Sequence, residues 1–165
     1  LYVCNGLTGV LDIFGQSAMS QTHLKGAVHE WNVLQAVLRK ASGTLEWTVL
    51  VLQVGALATV VLGTLDVVRL SAKLVHVVPT ALVIAYIIRG FARVAEITDK
   101  CGRVPSLVNS LSFGKSIDKE RQYVVQYIKN SAAGFHVLES RFTSTMVFEY
   151  IYMCCVVAMF APQVF

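Results

Sequence analysis

The stretch Trp47-Thr48-Val49-Leu50-Val51-Leu52-Gln53-Val54-Gly55-Ala56-Leu57-Ala58-Thr59-Val60-Val61-Leu62-Gly63-Thr64-Leu65 decides the fold class. Its nineteen residues carry no charge. As a helix it spans about 28 Å, enough to cross a hydrocarbon core of about 30 Å. Trp47 stands at its edge, where an interfacial aromatic belongs. The run does not alternate apolar and polar, as a barrel strand of about ten residues would. A helix satisfies its own backbone groups in lipid, so helix is the expected form.

Three further apolar runs lie outward from it. Leu74–Ile88 has fifteen uncharged residues, and flanking Lys73 and Arg89 have stems long enough to snorkel. Phe142–Phe165 carries Glu149 and then sixteen uncharged residues. Leu1–Ser20 carries only Asp12 and reads as a partial span. The composition agrees: of 165 residues 55% are hydrophobic and 15% charged, with mean hydropathy +0.61. An average soluble domain has about 25% charged residues. Disorder, a fibre and an ordinary soluble enzyme are therefore excluded as readings, and the lipid bilayer is the expected partner.

The basic residues set an orientation. Segment 21–46 holds Lys25, Arg39 and Lys40, and segment 66–73 holds Arg69 and Lys73. Segment 89–141 holds nine of the fourteen. The positive-inside rule puts 89–141 in the cytoplasm. Alternation then makes 1–20 a partial inward span, 21–46 a cytoplasmic helix and 47–65 an outward span. An outer turn follows at 66–73, and 74–88 is an inward span extended to about 100. Residues 101–141 are a cytoplasmic helical segment, and 142–165 is the final outward span. All of this forms one domain, an all-α polytopic transmembrane bundle with long cytoplasmic helical extensions. The net charge of +4 is absorbed by this orientation, so nucleic acid is not an expected partner.

Local patterns refine the picture. Leu24, Val28, Trp31, Leu34 and Leu38 recur at helical spacing, with a break expected near Ser42-Gly43. Gly102 and Pro105 mark a turn, with Val104, Leu107, Val108 and Leu111 a short helix after it. Ser116 is a candidate N-cap. Tyr123, Val124, Tyr127 and Ile128 form an apolar stripe, and Gly134 interrupts before the final span. Pro79 is expected to bend the third span. Gly55, Ala56, Ala58 and Gly63 offer a small-residue face for close helix packing.

Chemistry is sparse. No phosphate-binding loop, zinc-protease helix, nucleophile elbow or calcium loop occurs. The histidines His23, His29, His76 and His136 have no ligand spacing with a carboxylate, and no cofactor or metal site is read. Cys4, Cys101, Cys154 and Cys155 read as small buried hydrophobes. The two intramembrane charges, Glu149 and Asp12, are candidates for function because such groups are costly in lipid. Either snorkels or pairs, or serves a pore or coupling role; a transporter would need both in one cavity.

Three segments carry a resemblance. Cys101-Gly102-Arg103-Val104-Pro105-Ser106-Leu107-Val108, Glu120-Arg121-Gln122-Tyr123-Val124-Val125-Gln126-Tyr127-Ile128 and Ala133-Gly134-Phe135-His136-Val137-Leu138-Glu139 resemble successive stretches before the last helix of insect gustatory and odorant receptors. Gustatory receptor-like proteins of other eukaryotes share the plan. The helix order and orientation are similar too. The family's last helix carries Thr-Tyr, five apolar residues and Gln-Phe; here no threonine precedes Tyr150 or Tyr152, and Gln163 and Phe165 are not adjacent.

The resemblance implies that the chain matches the fourth to seventh helices of a seven-helix protein. Leu1 in place of Met agrees with a fragment, and no signal-peptide pattern begins the chain. It further implies a ligand-gated cation channel of the plasma membrane, a tetramer with a pore lined by the last helix. Tyr152, Val156, Met159, Phe160 and Gln163 would then face the pore, or else pack on neighbouring helices. A small-molecule ligand would sit among the outer halves of the helices, near Thr59, His76 and Thr80. The alternative is a non-catalytic structural or assembly subunit of a larger membrane complex, in a homo- or hetero-oligomer.

Overall fold

The computed structural model describes residues 2–20, 26–70, 74–110, 119–131 and 133–164, and all their side chains except 18–20, 68–70, 74–77 and 161–164. The expectations for Lys25, Lys73, His23, Leu111 and the Ser116 cap, and for the side chains of His76 and Gln163, lie outside the described residues. Among the described residues the chain is all-α apart from one small hairpin. Its elements are α1 (Tyr2–Ser20), α2 (Ala27–Leu70), α3 (Leu74–Ser110), α4 (Lys119–Asn130), β1 (His136–Val137), β2 (Ser140–Arg141) and α5 (Ser144–Val164).

Two helices dominate. α2 has 44 residues and α3 has 37, about 66 Å and 55 Å long at 1.5 Å per residue. The expected break at Ser42-Gly43 is absent, and segment 21–46 joins 47–65 in one helix. The reason is tertiary: Ser42 is buried and its hydroxyl donates to His136 O at 2.8 Å. A lone helical glycine costs only about 1 kcal/mol. α2 also stays helical to Leu70, which shortens the expected 66–73 turn, since no Gly or Pro interrupts Asp66–Leu70.

The expected turn at Gly102 and Pro105 is likewise absent, and α3 runs through both to Ser110. Pro105 removes one helical hydrogen bond, at a cost of about 3 kcal/mol. Cys101, Val104 and Val108 are all buried on that stretch. Burial of apolar side chains is favourable by about 1.5–3 kcal/mol each, which outweighs the loss. α3 also continues through Pro79.

Residues 133–143 depart from the expected helical segment. After α4, β1 and β2 pair antiparallel with His136 opposite Arg141 and Val137 opposite Ser140. Leu138 and Glu139 form the two-residue turn at φ of 49° and 65°. Such primed turns need positive φ at both central residues and usually take Asn-Gly.

Contacts between named residues fix the directions. Gly63 lies by Thr80, while Ser42 bonds His136 and Thr98 bonds Phe135, so α2 and α3 run antiparallel. Leu138 reaches Glu46 and Tyr150 reaches Gln53, so α5 runs parallel to α2. α1 runs parallel to α3: Asp12 pairs with Lys100 at 2.9 Å, and Gly15 faces Leu107. α1 thus sits beside the C-terminal half of α3 rather than beside 74–88.

The two ends of the bundle are packed differently. At one end Trp31, Leu38, Phe91, Ile97, Val108, Phe135 and Phe142 are fully buried. Phe14 packs on Trp31 with centroids 5.3 Å apart. At the other end Val51, Val54, Leu62, Leu82, Tyr86 and Met159 are more than half exposed. In the most apolar windows of α2 and α3 only 17% of each is buried. By length and composition both helices are able to cross a membrane.

Candidate functional site

α5 divides into two faces. Val147, Tyr150 and Cys154 are buried, seven residues apart from first to last, and form the packed side. Phe91 holds this side in place, meeting Phe142 and Tyr150 edge-on at 5.8 and 5.7 Å. The Tyr150 hydroxyl donates to Gln53 O at 2.6 Å, tying α5 to α2. The opposite side of α5 is open.

The residues expected to face a pore fall on that open side or at its edge. Tyr152 is 72% exposed, Met159 61% and Phe160 55%, and Val156 is half-buried. Cys155 is also exposed, which corrects its reading as a buried small hydrophobe; Cys4, Cys101 and Cys154 are buried. Helical spacing puts Cys155 on one stripe with Tyr152 and Met159. The adjacency of Cys154 and Cys155 carried the signal, since neighbours on a helix point about 100° apart.

The two candidate charges do not converge. Glu149 lines a groove between α2 and α5 of about 660 Å³, with Gln53, Val54, Leu57, Met146 and Tyr152. Asp12 lines a groove between α1 and α3 with Arg103 and Leu107, and accepts two hydrogen bonds from Lys100 at 2.9 and 3.1 Å. The single shared cavity that a transporter would need is therefore not formed by this pair. Thr59 donates to Gly55 O of its own helix at 2.7 Å. Thr80 stands half-buried against Gly63. Neither lines the α2–α5 or α1–α3 groove. Among the described residues no three His, Cys, Asp or Glu side chains gather as metal ligands.

The structure assembles one site that periodicity did not reveal, a polar junction between the hairpin and the long helices. Thr98 Oγ1 accepts from Phe135 N at 3.0 Å. Ser42 Oγ accepts from His136 N at 2.9 Å while donating to His136 O. Glu46 accepts from Leu138 N at 2.9 Å, and Arg141 donates to Ala133 O at 3.0 Å. Ser144 donates to Asp99 at the start of α5. Trp31 Nε1 donates to Ser131 Oγ at 2.7 Å, and Gln35 to Ser131 O at 2.6 Å. Seven of these bonds end on α2 or α3, so the direction of α5 is fixed by its lead-in. Burial pushes the Cys101 thiol up to about 11, with nearby Arg141 working weakly against it.

Comparison with protein-family models, characterised proteins and solved structures finds no match for the chain.

Proposed function

We propose that the chain is a chemosensory receptor-like membrane subunit, a ligand-gated cation channel whose pore is formed by α5 of an oligomer. The observation that carries this is the position of α5. It is held firmly on one side by Phe91, Tyr150 and Gln53, yet presents Tyr152, Cys155 and Met159 outward. A pore helix needs that combination: a fixed back and an unoccupied front. A ring of such side chains closes a pore by dewetting.

The contrast between the two ends supports a membrane setting. Apolar side chains exposed in lipid cost nothing, whereas contiguous apolar surface in water drives association. In this reading the sparse end, with Trp47–Leu65, Leu74–Ile88 and most of α5, lies in the plasma membrane. The end holding α4, the hairpin and the C-terminal half of α3 is cytoplasmic and carries most Lys and Arg. α1, seated beside Lys100 and Leu107, then belongs to that cytoplasmic layer, which departs from the expected partial inward span over 1–20 and takes Asp12 out of the membrane.

Flux through reconstituted vesicles tests the proposal without a known ligand. Met159→Asn or Tyr152→Asn hydrates the constriction and is expected to give a constitutive cation leak. No leak from a polar replacement at Tyr152, Val156, Met159 or Phe160 would overturn the pore and favour an assembly subunit.

A further inference from the structure

We propose that Glu149 of one copy pairs with Arg89 of the next copy, joining the α2–α5 groove of the first to the outer face of α3 of the second. The proposal rests on the oligomeric membrane reading above and goes beyond it by naming the contact.

The two groups stand close in height. Phe91 and Tyr150 touch, with ring centroids 5.7 Å apart. Glu149 is one residue from Tyr150 and Arg89 two from Phe91, on opposite sides of that contact because α3 and α5 run antiparallel, so their levels differ by about 4–5 Å, within reach of the two side chains. They nevertheless belong to different sides. Phe91 points into the bundle, and Arg89, turned about 200° from it, is exposed. Glu149 is exposed in the groove. Neither has an ion-pair or hydrogen-bond partner among the described residues, whereas neighbouring Arg93 is paired with Glu96 at 2.9 Å.

Each charge adjoins apolar surface that shares its orientation. Above Arg89 on α3 the exposed Val78, Leu82 and Tyr86 follow at helical spacing. Around Glu149 the groove offers Val54, Leu57, Met146 and Met153. A ridge ending in a cation therefore meets a groove holding an anion at nearly the same depth. At the cytoplasmic edge of the span an opposite charge on a neighbour is attractive and fixes the register of the contact. The two faces differ, so the contact is head-to-tail and closes into a ring when its rotation allows. Tyr152 forms one wall of the groove, while Cys155 and Met159 lie outside its lining, which leaves them facing the axis of such a ring.

Self-association of the full chain in lipid nanodiscs tests the pairing. Glu149→Lys and Arg89→Glu are each expected to weaken association by about tenfold or more. An equal mixture of the two single variants is expected to restore it to within about threefold, because every contact in an alternating ring is again opposite in sign. The mixture also separates pairing from misfolding, since misfolded copies rescue nothing. Single variants that associate like the wild type, or a mixture that stays dissociated, would overturn the pairing while leaving the pore intact. So would rescue by anionic lipid alone, which would assign Arg89 to a headgroup. A wild-type chain that stays monomeric in lipid would overturn the pairing and the oligomeric reading together.

Discussion

A Cβ placed on Gly134 would come within 2.8 Å of Thr98 Cγ2. Gly134 has φ of 147°, a conformation L-residues rarely adopt, and the backbone there lies directly over α3. This close approach lets Thr98 receive the Phe135 amide. The turn after α4 is thereby pinned to α3 just before α5 begins. Gly134→Ala combines the clash with an unfavourable φ and is expected to cost about 2–4 kcal/mol. Thermal unfolding in detergent checks it, with Gly43→Ala as the contrast, since a Cβ at position 43 meets nothing within 4 Å.

Ser42 makes two bonds to the backbone of His136 from inside a 44-residue helix. Removing its hydroxyl strands the His136 amide in a half-buried site. Ser42→Ala is expected to destabilise by about 1–3 kcal/mol. Hydrogen exchange should show the loss at the 135–142 hairpin first, with α2 itself unchanged.

The hairpin turn runs against its own sequence. Leu138 and Glu139 hold φ of 49° and 65° without a glycine or asparagine. Replacing the pair with Asn-Gly is expected to stabilise the protein by about 1–2 kcal/mol. The same unfolding measurement reads it as a raised midpoint.

The thiols should separate by burial. Cys155 is exposed and the other three are buried. One maleimide per chain is expected at neutral pH, lost in Cys155→Ser, with the rest reacting only after unfolding. Cys101 adds a pH dependence of known sign. Its folded pKa is raised from 9.0 to about 11. Below pH 9 both folded and unfolded thiols are protonated and stability is unaffected. Between about 9 and 11 the unfolded thiol ionises first, so stability falls. Cys101→Ser should flatten that alkaline fall.

The long apolar helices were legible in the sequence because hydropathy and charge are local properties of Trp47–Leu65 and Leu74–Ile88. The joints were not. Ser42-Gly43 and Gly102-Pro105 look like helix ends to a reader of local propensity, yet burial of Ser42, Val104 and Val108 carries both helices through. The hairpin was hidden for the opposite reason. Leu138-Glu139 has no turn chemistry, and its shape is imposed by Glu46, Ser42 and Arg141. On α5, helical spacing singled out Tyr152, Met159 and Phe160, which are exposed, but not Cys155, which is exposed beside them. The separation of Asp12 from Glu149 was not readable, because it depends on α1 lying beside Lys100.

Cross-linking through Cys155 in lipid tests the central claim most directly. A short bismaleimide is expected to join the native chain into covalent dimers, one Cys155 thiol on each arm, and Cys155→Ser should abolish them. Such a result puts the Tyr152–Cys155–Met159 stripes of two copies within a linker's length of each other, as a pore built from α5 requires. Only monomers, from a chain whose Cys155 still reacts with a single maleimide, would contradict a pore built from α5.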